Sequence, residues 1–274
     1  MELNKTVMIG GPIRNREWII SYYLRNLYNQ TYPKHLCEIL WLINNSTDKT
    51  FEILTEFKNK HEHEYRRIRI QVYNESNMPE DNRTVECREA HTYSRLAELR
   101  NRVISEFLKT DCDLYLNCDS DILMRKDCLE RLVSHNKDFV AGLIYNGYLM
   151  SSKPGEPGLF FGDPVEKAYL FPNILNETSP NHFTHVVNNR IKNPERAKDK
   201  PLLQVQFTGA INVLSRAVCE KARYGYDNRG EDYPFCRDAL KAGFEIWCDL
   251  YNYNQHVMAK DFLEQFKNFG IEGE

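Results

Sequence analysis

The feature that most restricts the fold is an alternation of apolar runs with amphipathic stretches in the first half of the sequence. A buried strand is a short continuous apolar run, whereas an amphipathic helix repeats its apolar residues every three or four positions. Alternating strands and helices are typical of a mostly parallel sheet covered by helices. The predicted strands are Lys5–Gly10, Glu38–Asn44, Ile68–Tyr73 and Asp113–Cys118, and the predicted helices are Trp18–Tyr28, about Lys49–Lys60 and a long helix that ends at Lys109. Gly10-Gly11-Pro12 is expected to break the first strand.

The second half of the chain is less regular. Its predicted strands are Phe139–Ile144, Val205–Leu214 and Phe244–Cys248, and its predicted helices are Ala217–Ala222 and Tyr233–Ala242. Residues 150–201 are rich in Pro, Gly, Asn and Lys, and a segment this long with weak periodicity is usually a functional lid or a disordered insertion. We therefore expect one domain over residues 1–274, with a first half over 1–125, a second half over 126–274 and a flexible segment near 150–201.

Composition narrows the class of protein. A chain of 274 residues is long for an average domain but within the range of one α/β unit. The formal net charge of -3 gives no sign of nucleic-acid binding. The first residues lack the cationic and long apolar regions of a signal peptide, and no run approaches the ~20 apolar residues of a membrane span. We expect a cytoplasmic protein, either soluble or peripheral to a membrane.

The eight cysteines form no C-x-x-C pair, which argues against a structural zinc site. Several lie among apolar neighbours in predicted strands and helices, where a free cysteine behaves as a small hydrophobe. We expect reduced thiols in or near the core.

The most informative local feature is the acidic triplet Asp119-Ser120-Asp121, which directly follows the predicted strand Asp113–Cys118. In open α/β sheets, ligands bind beyond the carboxyl ends of the strands. Two carboxylates one residue apart offer hard oxygen ligands to a divalent cation, and Mg²⁺ takes one or two carboxylates together with phosphate oxygens and water. A solvated acidic turn is the alternative for the triplet taken alone.

The chain resembles the GT-A glycosyltransferases, particularly family 2, at this point. The resemblance is carried by Leu96–Asn101 (LAELRN), a helix, and then an apolar strand that ends in the acidic triplet. It implies an α/β domain of the GT-A (nucleotide-diphospho-sugar transferase) fold, with a mostly parallel central sheet flanked by helices. The first half would bind the nucleotide sugar and the second half would bind the acceptor.

The resemblance also assigns roles to residues in and before the triplet. Asp121 would ligate the metal, while Asp119 would contact the ribose, the sugar or a metal-bound water. Ser120 would lie with them in the donor site, and Arg100 would face the nucleotide or its diphosphate.

Two loops match the family's nucleotide pocket. Asn44–Thr50 (NNSTDKT) is similar to the family's Asp-Asp-Gly-Ser-Thr-Asp-Gly-Thr turn, with one residue fewer and Asn44 where the base-reading aspartate stands. Pro12, Arg14 and Arg16 follow the first strand, where an arginine would meet phosphate with its fixed fork of donors. A charged, solvated loop is the alternative for each arginine. Which base is bound stays open.

The segment around Glu231 and Asp232 resembles the family's acceptor side. Phe207–Ala210 precedes an apolar strand, Ser215–Val218 opens a helix, and Ala242–Phe244 leads into another strand. In the family a Glu-Asp pair at this place starts a helix and supplies the catalytic base, which implies Asp232 as the base and Glu231 as its helper. The alternative is that acidic residues favour helix N-termini because of the macrodipole.

His256 is the third candidate metal ligand. Many GT-A enzymes have a C-terminal histidine that joins the D-x-D carboxylate on the metal, and imidazole suits Mn²⁺ better than Mg²⁺. A structural or merely exposed histidine is the alternative.

Together these matches imply a hexosyltransferase-like enzyme that uses Mn²⁺ or Mg²⁺ and a UDP- or GDP-sugar. It would transfer the sugar to an acceptor hydroxyl with inversion of configuration. A catalytically silent nucleotide-sugar-binding or scaffold protein and a nucleotidyltransferase are the alternatives. The acceptor, the oligomeric state and the role of the apolar tail Phe262–Ile271, which can pack on the domain, join a dimer or touch a membrane, stay open.

Overall fold

A ten-stranded sheet organises the part of the chain that the computed structural model describes, namely residues 4–76, 90–148, 169–179, 182–186, 190, 193–257, 260 and 263–270. The strands are β1 (Val7–Ile13), β2 (Cys37–Ile43), β3 (Arg67–Val72), β4 (Leu114–Cys118), β5 (Ile122–Leu123), β6 (Phe139–Tyr148), β7 (Tyr169–Pro172), β8 (Leu175–Ser179), β9 (His182–His185), β10 (Leu202–Val205), β11 (Ile211–Ser215) and β12 (Ile246–His256). The α-helices are α1 (Ile20–Tyr28), α2 (Thr50–His61), α3 (Ala90–Leu108), α4 (Cys128–Ser134), α5 (Arg216–Lys221), α6 (Asp232–Lys241) and α7 (Leu263–Phe266). Short 3-10 helices cover Lys34–Leu36, Glu62–Glu64 and Pro194–Ala197.

The sheet has a parallel half and a mixed half. Its strand order is β10-β12-β6-β11-β4-β1-β2-β3, with β5 beside β12 and β7 beside β6, while β8 and β9 form a separate ribbon. The run β4-β1-β2-β3 is parallel, as predicted. Strand β11 is antiparallel to both of its neighbours, and β12 pairs parallel with β6. The carboxyl ends of β1, β2 and β4 therefore meet at one edge.

The predicted end of the first strand at Gly10 is wrong. Strand β1 continues to Ile13, and residues 10–12 pair in register with residues 40–42 of β2. A Cβ atom on Gly10 would lie 2.2 Å from the carbonyl oxygen of Leu40. The glycine thus permits a close approach of two strands instead of ending one.

The predicted strands of the second half also need correction. Val205–Leu214 is divided between β10 and β11, because the chain turns at Ala210, whose φ is +68°. The predicted strand Phe244–Cys248 is the beginning of β12, which continues to His256.

Two apolar layers cover the sheet, one on each face. One layer joins β1 and β2 to α1 and α4, and it contains the fully buried Trp41. We call it the α1 layer. The other joins α3, α5 and α6 to the opposite face, and it contains the fully buried Phe107 and Phe139. We call it the α3 layer.

The remaining predictions concern the cysteines, the C-terminal tail, membrane-spanning helices and residues 150–201. The seven described cysteines are buried and form no disulfide, as expected, and Cys87 lies outside the described residues. The described part of the tail packs on the domain, where Leu263 joins a cluster with Ile19, Leu123 and Val257. No helix in the described ranges has the length and apolar character that a membrane crossing requires. Strands β7, β8 and β9 and one 3-10 helix fall within 150–201, while residues 150–168 of the predicted lid lie outside the described residues.

Candidate active site

The acidic triplet lies at the carboxyl end of β4, where the sequence places it. The amide of Asp119 donates to the carbonyl oxygen of Ala210 (3.1 Å), and the amide of Ile122 donates back to the carbonyl oxygen of Asp119 (3.1 Å). These bonds fix the turn between β4 and β5. The side chain of Asp119 is 24% exposed, whereas Ser120 is buried.

Arg100 on α3 joins the triplet to the Glu-Asp pair. Its Nε donates to Glu231 (3.1 Å), Nη1 donates to Asn117 (2.8 Å) and Nη2 donates to Asp119 (2.9 Å). Burial alone would lower the pKa of Arg100, but the charges of Asp119, Asp232 and Glu231 raise it well above its usual range. The guanidinium is therefore a permanent charge that holds the two acidic segments together.

This environment differs from the one that the resemblance implies for Arg100. Its side chain is only 2% exposed, so little of it can reach a nucleotide. The sequence analysis did not single out Asn117, which lies on β4 and accepts from Arg100. Every residue of β4 is buried, and the alternation along the strand places Asn117 on the same face as Tyr115.

Burial raises the pKa of Asp119, and the charge of Arg100 opposes this rise. The neighbouring carboxylates Asp121 and Glu231 add to the increase. Three acidic side chains thus lie close together at this edge, with Arg100 bonded to two of them.

Asp121 lies between an arginine and a histidine. Nη2 of Arg16 donates to Oδ2 of Asp121 (3.0 Å), and Nε2 of His256 lies 3.5 Å from Oδ1 of the same carboxylate. All three side chains are between 10% and 19% exposed. Strand β12 delivers His256 to this position, and the amide of Val257 donates to the carbonyl oxygen of Asp121 (2.8 Å).

The residues fit a divalent cation. Oδ1 of Asp121 and Nε2 of His256 are close enough to contact one ion, and carboxylate with imidazole is a donor set that suits Mn²⁺. Asp119 contributes negative charge nearby. The predicted ligands Asp121 and His256 are thus brought together.

Glu231 and Asp232 begin α6, as predicted. Glu231 is buried, and Asp232 is the first residue of the helix. Gly209 lies directly against Asp232, because a Cβ atom on this glycine would be 2.2 Å from Oδ2 of Asp232. The carbonyl oxygen of Gly209 accepts from Nδ2 of Asn173 (2.9 Å). Gly209 and Asn173 received no role in the sequence analysis, although Thr208-Gly209-Ala210 was noted there as a flank.

The two nucleotide loops contact each other near the same edge. The amide of Asn15, at φ +48°, donates to Ser46 (3.1 Å), and the amide of Arg16 donates to Thr50 (2.8 Å). Asn44 is buried, and its backbone N–H donates to the carbonyl oxygen of Ile13 (3.1 Å).

The remaining predicted donor residues take different positions at this edge. Pro12 is part of β1, and Arg14 is half-buried. Of the predicted donor arginines, Arg16 reaches Asp121 of the triplet and Arg100 reaches Asp119.

One other cluster of candidate ligands lies in the described part of the chain. Glu38, Asp111 and Cys112 bring ligand atoms within 4.8 Å of one another. This cluster is at the amino end of the strands, and Arg66 pairs with both of its carboxylates. Because ligands of open α/β sheets bind beyond the carboxyl ends of the strands, the candidate site stays at the carboxyl edge.

Comparison with known proteins identifies the family. The family model Anp1 matches residues 1–157, which is more than half of the 274 residues. The chain belongs to the Anp1 family. The described structure of this Anp1 protein is similar to solved glycosyltransferase structures, which confirms the GT-A fold that the resemblance implies.

Two of the similar structures illustrate the match. The mannosyltransferase PcManGT from Pyrobaculum calidifontis, in complex with GDP-Man and Mn²⁺, has a TM-score of 0.53 and 15% identity, over 94% of this chain and 58% of that chain. GalNAc-T7 with UDP, GalNAc and Mn²⁺ has a TM-score of 0.56 and 12% identity, over 93% of this chain and 44% of that chain. Because the sequence identities are this low, the similarity establishes the fold alone.

A curated relative of the Anp1 protein is known from Methanococcus voltae. It is dolichyl N-acetyl-alpha-D-glucosaminyl phosphate 3-beta-D-2,3-diacetamido-2,3-dideoxy-beta-D-glucuronosyltransferase, which is 42% identical over 67 residues. The match covers 23% of this chain and 21% of that protein. The chain therefore matches about a fifth of this relative's length.

Proposed function

We propose that this Anp1 protein is a metal-dependent, hexosyltransferase-like glycosyltransferase that moves a sugar from a nucleotide sugar to an acceptor hydroxyl. The observation that carries the proposal is the junction at Arg100, whose guanidinium binds both Asp119 of the acidic triplet and Glu231 beside Asp232. A donor-side turn and a candidate base are thereby held at one edge of the sheet. The names of the relatives support the same reaction class.

The donor side is proposed to bind a UDP- or GDP-sugar. The two neighbours with similar folds were solved with GDP-Man or with UDP, and we transfer that nucleotide class to this chain. Asn44, Pro12 and Arg14 would line the nucleotide, and Arg16 would reach the diphosphate from its place beside Asp121. Ser120 and Asp119 would contact the ribose or the sugar.

Asp121 and His256 would hold the divalent metal, with Mn²⁺ favoured over Mg²⁺ because one donor is an imidazole nitrogen. When bound, the ion neutralises the negative charge that develops on the leaving diphosphate. Arg16 supplies a second positive charge at the same carboxylate. Arg100 acts as a positioning residue that keeps Asp119 and Glu231 in place.

Asp232 is proposed as the general base. It would accept the proton of the acceptor hydroxyl while that oxygen attacks the anomeric carbon from the side opposite the diphosphate, which inverts the configuration. Gly209 leaves the space that the Asp232 carboxylate occupies. General-base assistance of this kind is worth about 10²–10⁴-fold in rate.

A thermal-shift panel tests the donor side of the proposal. UDP, GDP, CMP and dTDP and their sugars would each be added with Mn²⁺, Mg²⁺ or a chelator. A ligand at a hundredfold its Kd stabilises the protein by ~2.7 kcal/mol, which raises Tm by several degrees at roughly 2–4 °C per kcal/mol. We expect a metal-dependent shift with UDP or GDP that Asp121→Ala removes and Asp238→Asn, a change at a partly exposed position of α6, retains.

Two other outcomes would change the proposal. A nucleotide-dependent shift without transfer to any acceptor would indicate a nucleotide-sugar-binding scaffold. No shift with any nucleotide and metal would contradict the donor site itself.

A further inference from the structure

Strand β12 contains a three-residue bulge shortly before it reaches the site. Asp249 pairs with Gly142 of β6, and the next paired residue, Tyr253, lies opposite Leu143. Residues 250–252 therefore have no counterpart in β6. Because side chains alternate between the two faces of a sheet, an odd number of extra residues reverses the alternation from that point on.

The packing on either side of the bulge confirms the reversal. Before it, the even-numbered residues Ile246 and Cys248 pack in the α3 layer. After it, the odd-numbered Tyr253 packs against the same layer, beside Leu143, its partner in β6. The even-numbered residues that follow the bulge thus face the opposite side of the sheet.

His256 is one of these even-numbered residues. It faces the side on which its Nε2 lies 3.5 Å from Oδ1 of Asp121. Before the bulge, the even-numbered residues face the α3 layer. If this alternation continued without a bulge, residue 256 would also face the α3 layer. The bulge therefore determines whether the histidine reaches the carboxylate.

Asp249 closes the bulge from within. It is 0% exposed, and its Oδ1 accepts the amides of Tyr251 (3.0 Å) and Asn252 (3.1 Å). Oδ2 accepts Nε of Arg131 (3.1 Å) and lies 2.8 Å from Nε2 of His135. Burial would raise the pKa of Asp249, but His135 and Arg131 hold it below its usual value, so the carboxylate is charged and fully bonded.

Neighbouring side chains complete the bulge. Nδ2 of Asn254 donates to the carbonyl oxygen of Asn252 (2.9 Å), and its Oδ1 accepts the amide of Arg125 (2.9 Å). A Cβ atom on Gly142 would lie 2.6 Å from this Nδ2. The glycine in β6 thus leaves room for the bulge to fold back over the sheet.

We infer that Asp249 is a positioning residue of the site: it closes the bulge over residues 250–252 and thereby turns His256 toward Asp121. The inference rests on the proposed metal site, since Asp249 acts through His256. A purely structural role for Asp249 would affect stability without changing the affinity for the metal or the identity of its ligands.

Titration with Mn²⁺ alone, followed by the EPR signal of the free ion, distinguishes these two roles. Asp249→Asn presents amide hydrogens to Arg131 or His135 in place of an acceptor, so we expect it to open the bulge. Outer partners of metal ligands typically affect affinity by about 10–100-fold, and we expect a weakening of this size. Pulsed EPR of the bound ion should show nitrogen coupling from His256 in the wild type and a reduced coupling in the variant.

Two further variants keep the test decisive. His135→Leu removes one partner of Asp249 and leaves Arg131, so we expect a smaller loss of Mn²⁺ affinity, and it replaces Asp249→Asn if that variant does not fold. Ile68→Ala is the stability control, because Ile68 is 1% exposed on β3 at the far end of the sheet. It should lower Tm and bind Mn²⁺ as the wild type does.

Weaker binding and reduced nitrogen coupling in the Asp249 and His135 variants, with normal binding in Ile68→Ala, would support the inference. Wild-type affinity and coupling in folded Asp249→Asn or His135→Leu would overturn it and leave the metal site in place. If the wild type shows no Mn²⁺ binding that His256→Ala removes, the proposed metal site fails, and the inference fails with it.

Discussion

Replacing Arg100 with methionine tests whether one buried guanidinium holds the two acidic segments of the site together. The side chains of Arg100 and Glu231 are 2% and 3% exposed. Removing one partner of a buried ion pair costs about 3–5 kcal/mol, because the other charge stays buried without a partner. Asp119 is 24% exposed and can recover some hydration, so Glu231 dominates the loss. We expect the free energy of unfolding to fall by about 3–5 kcal/mol, which lowers Tm by roughly 6–20 °C.

The size of this loss should depend on pH. The pKa of Asp119 is raised by burial, and Arg100 opposes that rise, so the variant should raise it further. A group whose pKa is higher in the folded state contributes stability below its unfolded pKa, and this contribution is lost as the pH rises through the folded pKa. The deficit of Arg100→Met relative to the wild type should therefore be larger at pH 8 than at pH 5.

Thermal unfolding followed by circular dichroism at both pH values measures the deficit. Arg102→Met is the matched control on the same helix, since Arg102 is 46% exposed in its pair with Glu98. An exposed pair of this kind contributes ~1 kcal/mol at most. A deficit for Arg100→Met no larger than that of Arg102→Met, or one that does not grow with pH, would contradict the role of Arg100 in holding the two acidic segments together.

Two further variants test the roles of single residues. Gly209→Ala should displace Asp232 and lower kcat by at least about 10²-fold. Gly225→Ala is the control and should retain activity, because its added Cβ meets only a proline side chain, at 3.3 Å. Equal activity of the two variants would contradict the close packing of Gly209 on Asp232. Arg16→Gln should raise the KM for the donor by roughly 10–100-fold, since a hydrogen bond to a charged group is worth about 1.5–3 kcal/mol, and it should also lower Tm because the side chains of Arg16 and Asp121 are only 19% and 13% exposed. An unchanged KM would remove Arg16 from the donor site.

The parallel half of the fold could be predicted from the sequence because its signals are local. Each buried strand is a continuous apolar run, and each covering helix carries its own apolar stripe. The position of Asp119-Ser120-Asp121 followed from the same pattern, since the carboxyl end of a strand is known once the strand is. The position of Glu231 and Asp232 at the start of α6 could also be predicted, because acidic residues at the start of a helix are a local signal.

The contacts inside the site could not be predicted, because they join distant parts of the chain. Arg100 meets Glu231 across 131 residues, and nothing near Arg100 in the sequence indicates this partner. The sequence predicts a strand break at Gly10, whereas the role of this glycine depends on how closely β2 approaches, which the local sequence does not show. The bulge in β12 depends on Asp249 meeting Arg131 and His135 across more than 100 residues, which no local pattern encodes.

The proposed sugar transfer is tested most directly by the release of nucleoside diphosphate from UDP- and GDP-sugars, measured with Mn²⁺ and a panel of acceptor sugars. We compare the wild type with Asp232→Asn and with the control Asp238→Asn. The carboxylate of Asp238 lies on the same helix, is 31% exposed and pairs with Arg237. We expect acceptor-dependent release by the wild type and by Asp238→Asn, and a loss of about 10²–10⁴-fold in Asp232→Asn with donor binding retained. Release by Asp232→Asn at the wild-type rate, or no release from any donor with any acceptor, would contradict it.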